Sequence, residues 1–319
     1  MSENTRQERP GSEPTSPSTP PHTQHARASQ PQPVPPRTPS PRRSHTPRRF
    51  TLRARNIPRL IAALILLFLV IAAIFPALFA PGDPLAIDPA AGFQPPGGAH
   101  PFGTDGSGRD LYTRVIHGAG PSLLIGLGAT ALGIGLATIL GFLAGLGPRW
   151  LDFGTSRLIE VLLAFPGLVL ALLVMVISGP GALGATVAVG LATAPGYARI
   201  IRGRVREIAG SGFVEAARVQ GRGRVRILTR HVFPGTARSL ASLATLGLGQ
   251  AIVWVCALSF LGLGVAPPAA EWGALLNEGR QFIATFWWLT FFPGLFIVLT
   301  AVSATVLGRG LARTDRSAS

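Results

Sequence analysis

The sequence contains no lysine, so all 29 basic residues are arginine. A phosphate-binding GxxxxGK[ST] loop therefore cannot be written anywhere in the chain, and a P-loop ATPase is excluded. Cysteine is nearly absent too: Cys256 stands alone inside an apolar run, which excludes an internal disulfide and points to an inert, buried thiol. Charged residues make up only 13% of the chain. Away from span ends such as Glu160, no Asp, Glu, Arg or His falls in the middle of an apolar run. Ion-coupled carriers place ionisable groups there, on the path of the coupled ion. Their lack favours an energy supply from outside the bilayer over a gradient-driven carrier. No nucleophile, base and orienting group can be assembled, so no catalytic residues are predicted. His100, Asp105, Asp110 and His117 suggest a metal set at first sight. Gly103, Gly106 and Gly108 make that segment a series of turns instead, with Asp110 placed to start a short helix, and no metal is predicted.

What is abundant is apolar surface. Hydrophobic residues reach 47%, with 39 glycines and a mean hydropathy of +0.39. Apolar runs long enough to cross a bilayer recur, which predicts an all-α, polytopic membrane protein. Six spans are predicted, at 57–80, 118–146, 158–178, 182–200, 239–265 and 286–307. Residues 1–55, rich in Pro, Ser, Thr and Arg with little to bury, read as a disordered tail. Residues 56–117 then hold the first span and an external loop, 118–312 a five-helix core with a cytoplasmic loop at 201–235, and 313–319 a short tail. The pairs Arg42-Arg43 and Arg48-Arg49 could open an export signal. The apolar run after them is longer than a signal core and lacks an A-x-A ending, so a retained anchor is favoured.

The formal net charge of +15 does not point to nucleic acid, because the arginines lie in tails and between spans rather than on one folded face. Ten of them fall between Arg199 and Arg238, with Arg149, Arg157, Arg309, Arg313 and Arg316 on the same predicted side. The opposite loops carry only Arg109, Arg114 and Arg280. The positive-inside rule then predicts both termini and the arginine-rich loops in the cytoplasm. The arginines at the basic end of the N-terminal tail, Arg42-Arg43 and Arg48-Arg49 through Arg59, are also placed to touch anionic lipid. Glycines such as Gly126, Gly128, Gly133, Gly135, Gly141 and Gly145 are predicted to serve close helix packing, and Pro166 and Pro195 to bend their helices.

The segment 213–234, FVEAARVQGRGRVRILTRHVFP, is a polar, basic insert between two apolar runs. Glu215, Ala216 and Ala217 suit a helix, Gly221 suits a turn needing positive φ, and Pro234 suits a break before the next span. A lipid-surface amphipathic loop would have the same composition.

Four ordered stretches together resemble one family, the permease C type subunits of dipeptide, oligopeptide and nickel ABC importers. They are His100-Pro101-Phe102-Gly103-Thr104-Asp105 with Arg109-Asp110; Tyr197-Ala198-Arg199 leading to Glu215-Ala216-Ala217, Gly221, His231 and Pro234; Ser259 to Val265 with Glu271-Trp272-Gly273 and Glu278; and Trp287-Trp288 with Phe292-Pro293. The resemblance spans roughly 57–311. It implies a type I ABC importer permease fold with no cofactor of its own. ATP would be bound by two partner ATPase subunits, with a second permease completing the pathway and an extracytoplasmic solute-binding protein delivering the cargo. It assigns ATPase coupling to Glu215, Ala216, Ala217, Gly221, His231 and Pro234. External docking or structure falls to His100, Phe102, Gly103, Asp105, Arg109 and Asp110. The implied location is the bacterial cytoplasmic membrane and the implied cargo a short peptide, with nickel or another small solute as the alternative. The chain departs from the pattern at Arg222-Gly223, where two small residues are usual after the turn glycine. It departs again at Val255, where many members are acidic. An ion-gradient carrier and a membrane scaffold that recruits acidic partners are the rival functions.

Overall fold

The computed structural model describes residues 57–316, all in one compact unit. The tail predicted for residues 1–55 and the end of the segment 313–319 lie outside the described residues. The described chain is helical, and its only extended pairing is an isolated antiparallel bridge between Thr104 and Asp110.

In chain order the helices are α1 (Ile57–Ile74), α2 (Pro76–Phe79), α3 (Leu111–Leu146), α4 (Arg149–Ala164), α5 (Gly167–Ser178) and α6 (Ala182–Ala209). They continue with α7 (Gly212–Val219), α8 (Arg224–Ile227), a π-helical turn at Leu228–Val232, α9 (Phe233–Phe260), α10 (Trp272–Gly279) and α11 (Trp288–Arg316). Four helices are long and apolar enough to cross a membrane: α1, α3, residues 239–260 of α9 and residues 288–310 of α11.

The six predicted spans are not matched one for one. The run 158–178 is not a single helix: α4 and α5 meet at a bend of 99°. Phe165, which precedes Pro166, is extended (φ −85°, ψ 138°) because the proline ring crowds out the helical conformation there. Gly167 then lets the Trp254 ring lie against the new helix start, where a Cβ would come within 2.2 Å of the indole. The run 182–200 extends to Ala209 as α6, which is long enough to span but less apolar. Its Ala, Gly and Thr residues are buried among α3, α5 and α9 rather than turned to lipid, so it does not need large apolar side chains. Pro195 sits inside α6 without breaking it. The span expected from Gly118 begins at Leu111. Asp110 does start a helix there, but it is the 36-residue α3 rather than a short one. At about 1.5 Å per residue α3 is longer than the crossing of a hydrocarbon core of about 30 Å requires.

The glycine expectation holds at the α3–α6 contact. A Cβ at Gly133, Gly141 or Gly145 would strike Thr193, Ile201 or Val205 at 2.6–2.7 Å, so these backbones can approach only because the side chains are missing. Gly135 has nothing within 4 Å and takes no part.

The bundle gathers most of its described arginines at one end, with Arg109, Arg114 and Arg280 at the other. Gly145 near the end of α3 packs on Val205, Gly308 of α11 on Leu246 of α9, and Gly310 beside Arg59 of α1. At the opposite end the chain 75–110 and α10 form a cap over α3 and α11.

Candidate functional site

Two assemblies of polar residues stand out, one at each end of the bundle.

At the arginine-rich end, α7 is seated by Val214 and Ala217, spaced so that both face inward onto the cluster formed by Ile201, Val205, Ile208 and Val232. Glu215 and Ala216 are exposed on its other side, with Phe213 and Val219 also turned to solvent. The helix ends in a Schellman motif. Gly221 takes φ +74°, its N–H donates to the Arg218 carbonyl at 2.9 Å, and the Arg222 N–H donates to the Ala217 carbonyl at 3.1 Å. The last carbonyls of α7 are thereby satisfied while the chain reverses into α8, and glycine is the residue that meets the φ without strain. His231 lies 3.4 Å from an Arg222 guanidinium nitrogen and about one ring width from Phe213, with centroids 6.0 Å apart. Pro234 occupies the first turn of α9. Directly before it the chain winds as a π-turn, in which the Phe233 N–H donates to the Leu228 carbonyl. A widened turn there makes room for a proline ring that would clash in a regular helix.

The six residues singled out in the insert lie on successive elements, from α7 and its turn through the π-helical turn to the start of α9. They do not play one part: Ala217 is buried, Gly221 and Pro234 set chain direction, and Glu215 and Ala216 face outward. Asp152 ties α4 to the end of α6, from which the insert leaves. Its carboxylate accepts from Arg202 at 2.7 Å and Arg206 at 2.6 Å, both on α6. Partial burial raises its pKa. Hydrogen bonds from Arg202 and Ser156 and the charges of Arg202 and Arg206 together outweigh that and hold the carboxyl below its usual value of 3.8.

At the opposite end the segment 100–110 forms a knot of turns. Asp105 Oδ1 accepts from the Ser107 and Arg109 N–H groups at 2.8 and 3.0 Å. Its Oδ2 accepts from Arg114 at 2.7 Å. Asp110 caps α3 by accepting from the Thr113 N–H at 2.8 Å, and its other oxygen lies 3.0 Å from His100 Nδ1. Phe102 stacks on Phe292 with centroids 4.0 Å apart, so it is a core residue joining cap and bundle. Gly103, with φ +77°, lets the Trp288 indole N–H approach and donate to the Thr104 carbonyl at 3.2 Å. His117 is turned to the Ala80 carbonyl, at 3.0 Å. The structure brings His100 and Asp110 together and joins Asp105 to Arg109, with a nitrogen–oxygen distance of 3.8 Å. It does not gather His100, Asp105, Asp110 and His117 into one site.

Three further charged residues complete the cap. Arg114, only 1% exposed, donates to Asp105, to both carboxylate oxygens of Glu278 at 2.7 and 3.3 Å, and to the Pro268 carbonyl at 3.1 Å. Glu271 is fully buried and caps α10, accepting from the Gly273 and Ala274 N–H groups at 2.9 Å and from the Ser122 hydroxyl at 3.3 Å. These ties fasten α10 to the start of α3. The signal that could have found them is the scarcity of charge itself: in a chain this apolar, an Arg and two Glu beside spans need partners.

Residues 137–314 match the family described as the binding-protein-dependent transport system inner membrane component. The dipeptide transport system permease protein DppC of Alkalihalophilus pseudofirmus is 35% identical over 262 residues, covering 82% of this chain and 86% of that protein. The di/tripeptide transport system permease protein DppC of Pseudomonas aeruginosa is 38% identical over 266 residues, 81% of this chain and 87% of the relative. Among solved structures, the MetNI methionine ABC transporter, in an inward-facing conformation, aligns with a TM-score of 0.54 at 17% identity, over 63% of this chain and 96% of that one. That likeness speaks for the fold, which is an all-α ABC importer permease fold. On the match to residues 137–314 and the identity to these relatives, the chain belongs to the binding-protein-dependent transport system inner membrane component family.

Proposed function

We propose that the chain is one of two non-identical permease subunits of an ATP-driven importer for di- and oligopeptides in the bacterial cytoplasmic membrane. The reading of cargo follows the relatives named for dipeptide and di/tripeptide transport. The observation that carries the mechanism is the insert: an eight-residue helix seated by Val214 and Ala217, turned by Gly221, presenting Glu215 and Ala216 outward. With no lysine in the sequence to complete a phosphate loop, the motor is a separate pair of ATP-binding subunits.

In this reading α7 is a coupling helix that enters a cleft on an ATP-binding subunit. Glu215 and Ala216 make the contact, Ala217 and Gly221 hold its shape, and His231 and Pro234 fix the return into α9. When the two ATP-binding subunits close on nucleotide, α7 is carried with them and drags α6 and α9, to which the insert is continuous. The arginine-rich end then faces the cytoplasm, as do both termini, in keeping with the positive-inside rule. The cap, with His100, Phe102, Gly103, Asp105, Arg109 and Asp110, faces the solute-binding protein. Phe102 and Gly103 act there through packing, and the buried Asp105, with Arg109, by holding the turns in shape. In this reading ATP binding and hydrolysis belong to the partner subunits, and this chain serves transport alone.

Reconstitution with the second permease, the ATP-binding subunits and the binding protein tests this. Peptide uptake and peptide-stimulated ATP hydrolysis should both fall in the Glu215→Lys and Gly221→Val variants. Unchanged coupling in both, or uptake by the chain alone on an ion gradient, refutes the reading.

A further inference from the structure

Beneath the Gly221 turn lies a cavity of about 850 Å³, open to solvent, between the insert and the α3–α4 turn. Its floor is apolar, with Leu146, Ile227 and Val232 among the lining residues. Its rim carries Arg218, Arg222 and Arg224. None of the three is in an ion pair among the described residues. The pairs at this end are instead Arg157 with Glu160, Arg204 with Glu207, and Asp152 with Arg202 and Arg206. The Arg222 guanidinium lies 3.4 Å from His231 Nε2. Val225, on the same lining, is 74% exposed. An apolar hollow ringed by unpaired cations has one complementary occupant: an apolar side chain flanked by carboxylates.

We propose that this cavity is a socket for an acidic segment of the ATP-binding subunit. An apolar side chain enters the floor, and neighbouring Asp or Glu side chains meet Arg218, Arg222 and Arg224. The inference rests on reading the insert as the ATPase-coupling loop, and goes past it. The contact becomes reciprocal, with α7 entering the motor subunit and the motor subunit entering this chain. A protein segment fits better than lipid, because most of the lining comes from the polar insert rather than from the apolar helix walls. Arg222, where the sequence departs from the usual small residue, then selects an acidic partner. A neutral or basic segment would leave the guanidinium groups unmatched.

The test uses the assembled complex in mild detergent, with a photo-crosslinking side chain at Val225 in the socket or at Phe213 on the outer face of α7. Both positions are expected to give adducts with the ATP-binding subunit. The combined Arg218→Gln, Arg222→Gln and Arg224→Gln variant should lose the Val225 adduct about ten-fold while keeping the Phe213 adduct. Should the triple variant not assemble, the unsubstituted arginines answer through salt: the Val225 adduct should decline between about 0.1 and 0.5 M NaCl. A Val225 adduct with phospholipid overturns the socket and leaves the coupling loop standing, as does its absence beside a retained Phe213 adduct. Persistence of the Val225 adduct in the triple variant does the same, and so does its indifference to salt. Absence of both adducts overturns the socket and the coupling reading together.

Discussion

Arg114 and Glu278, 164 positions apart, meet in a two-pronged ion pair, with Nη1 and Nη2 reaching the two carboxylate oxygens at 2.7 and 3.3 Å. Because Arg114 is 1% exposed and also holds Asp105, it closes the cap over the start of α3. Its removal leaves Glu278 without its cation and Asp105 with only the more distant Arg109, at 3.8 Å. Arg114→Leu should lower the thermal midpoint in detergent, with a cost of about 3–5 kcal/mol for an unpaired buried charge. Arg114→Lys should recover only part of it, since an ammonium cannot span both carboxylates and the Pro268 carbonyl in one plane. Equal midpoints for Arg114→Leu and the parent chain would show that the cap stands without this pair.

Gly221 holds φ +74° with nothing within 4 Å of a Cβ placed on it. A side chain there meets no neighbour, so the cost of substitution is backbone strain alone, about 1–2 kcal/mol for an ordinary L-residue. Gly221→Asn, which tolerates this region, should keep the turn better than Gly221→Val. A ranking of the three by protease cleavage within 211–223 checks this: Gly slowest, Asn between, Val fastest. An inverted order would mean that the turn is not the weak point of the insert.

How much of this could be read from the sequence depends on the range of the forces involved. The turn at Gly221, the cap at Asp110 and the small-residue contact of α3 with α6 are local or periodic, and residue type alone points to them. The bend at Pro166 was legible as a proline but not as a 99° break. The ring packed against the break at Gly167 is that of Trp254, almost ninety positions away in the chain. Hydropathy counted α6 correctly as a helix, yet gave no sign that it is central and shielded from lipid by its neighbours. The Arg114–Asp105–Glu278 network was hidden for the same reason. Each of its charges lies in a loop or at a helix end, and only the fold brings them together.

The bend itself is open to test. The Trp254 ring occupies the space that a side chain at residue 167 would need, so even one methyl group forces a shift of a large, half-buried ring. Gly167→Ala should cost about 1–3 kcal/mol, the range for overpacking a filled interior. Trp254→Leu, by removing the ring, should restore part of the lost thermal midpoint in the double variant. If the two losses simply add, residues 167 and 254 are not in contact, and the bend has another cause.

Asp152 joins α4 to Arg202 and Arg206, and its pKa is lowered from 3.8. For a carboxylate whose folded pKa is depressed, the stabilisation is fully present above the unfolded value of about 3.9 and is lost as pH falls through the folded value. From pH 5 to 8 the clamp should therefore not titrate. The difference in thermal midpoint between the parent chain and Asp152→Asn should stay flat across that window, and shrink only on acidification below about pH 4. The residue is solvent-accessible, so the difference should be small and should narrow further in high salt as the arginine charges are screened. A difference that changes between pH 6 and 8 would assign the titration to a group other than Asp152.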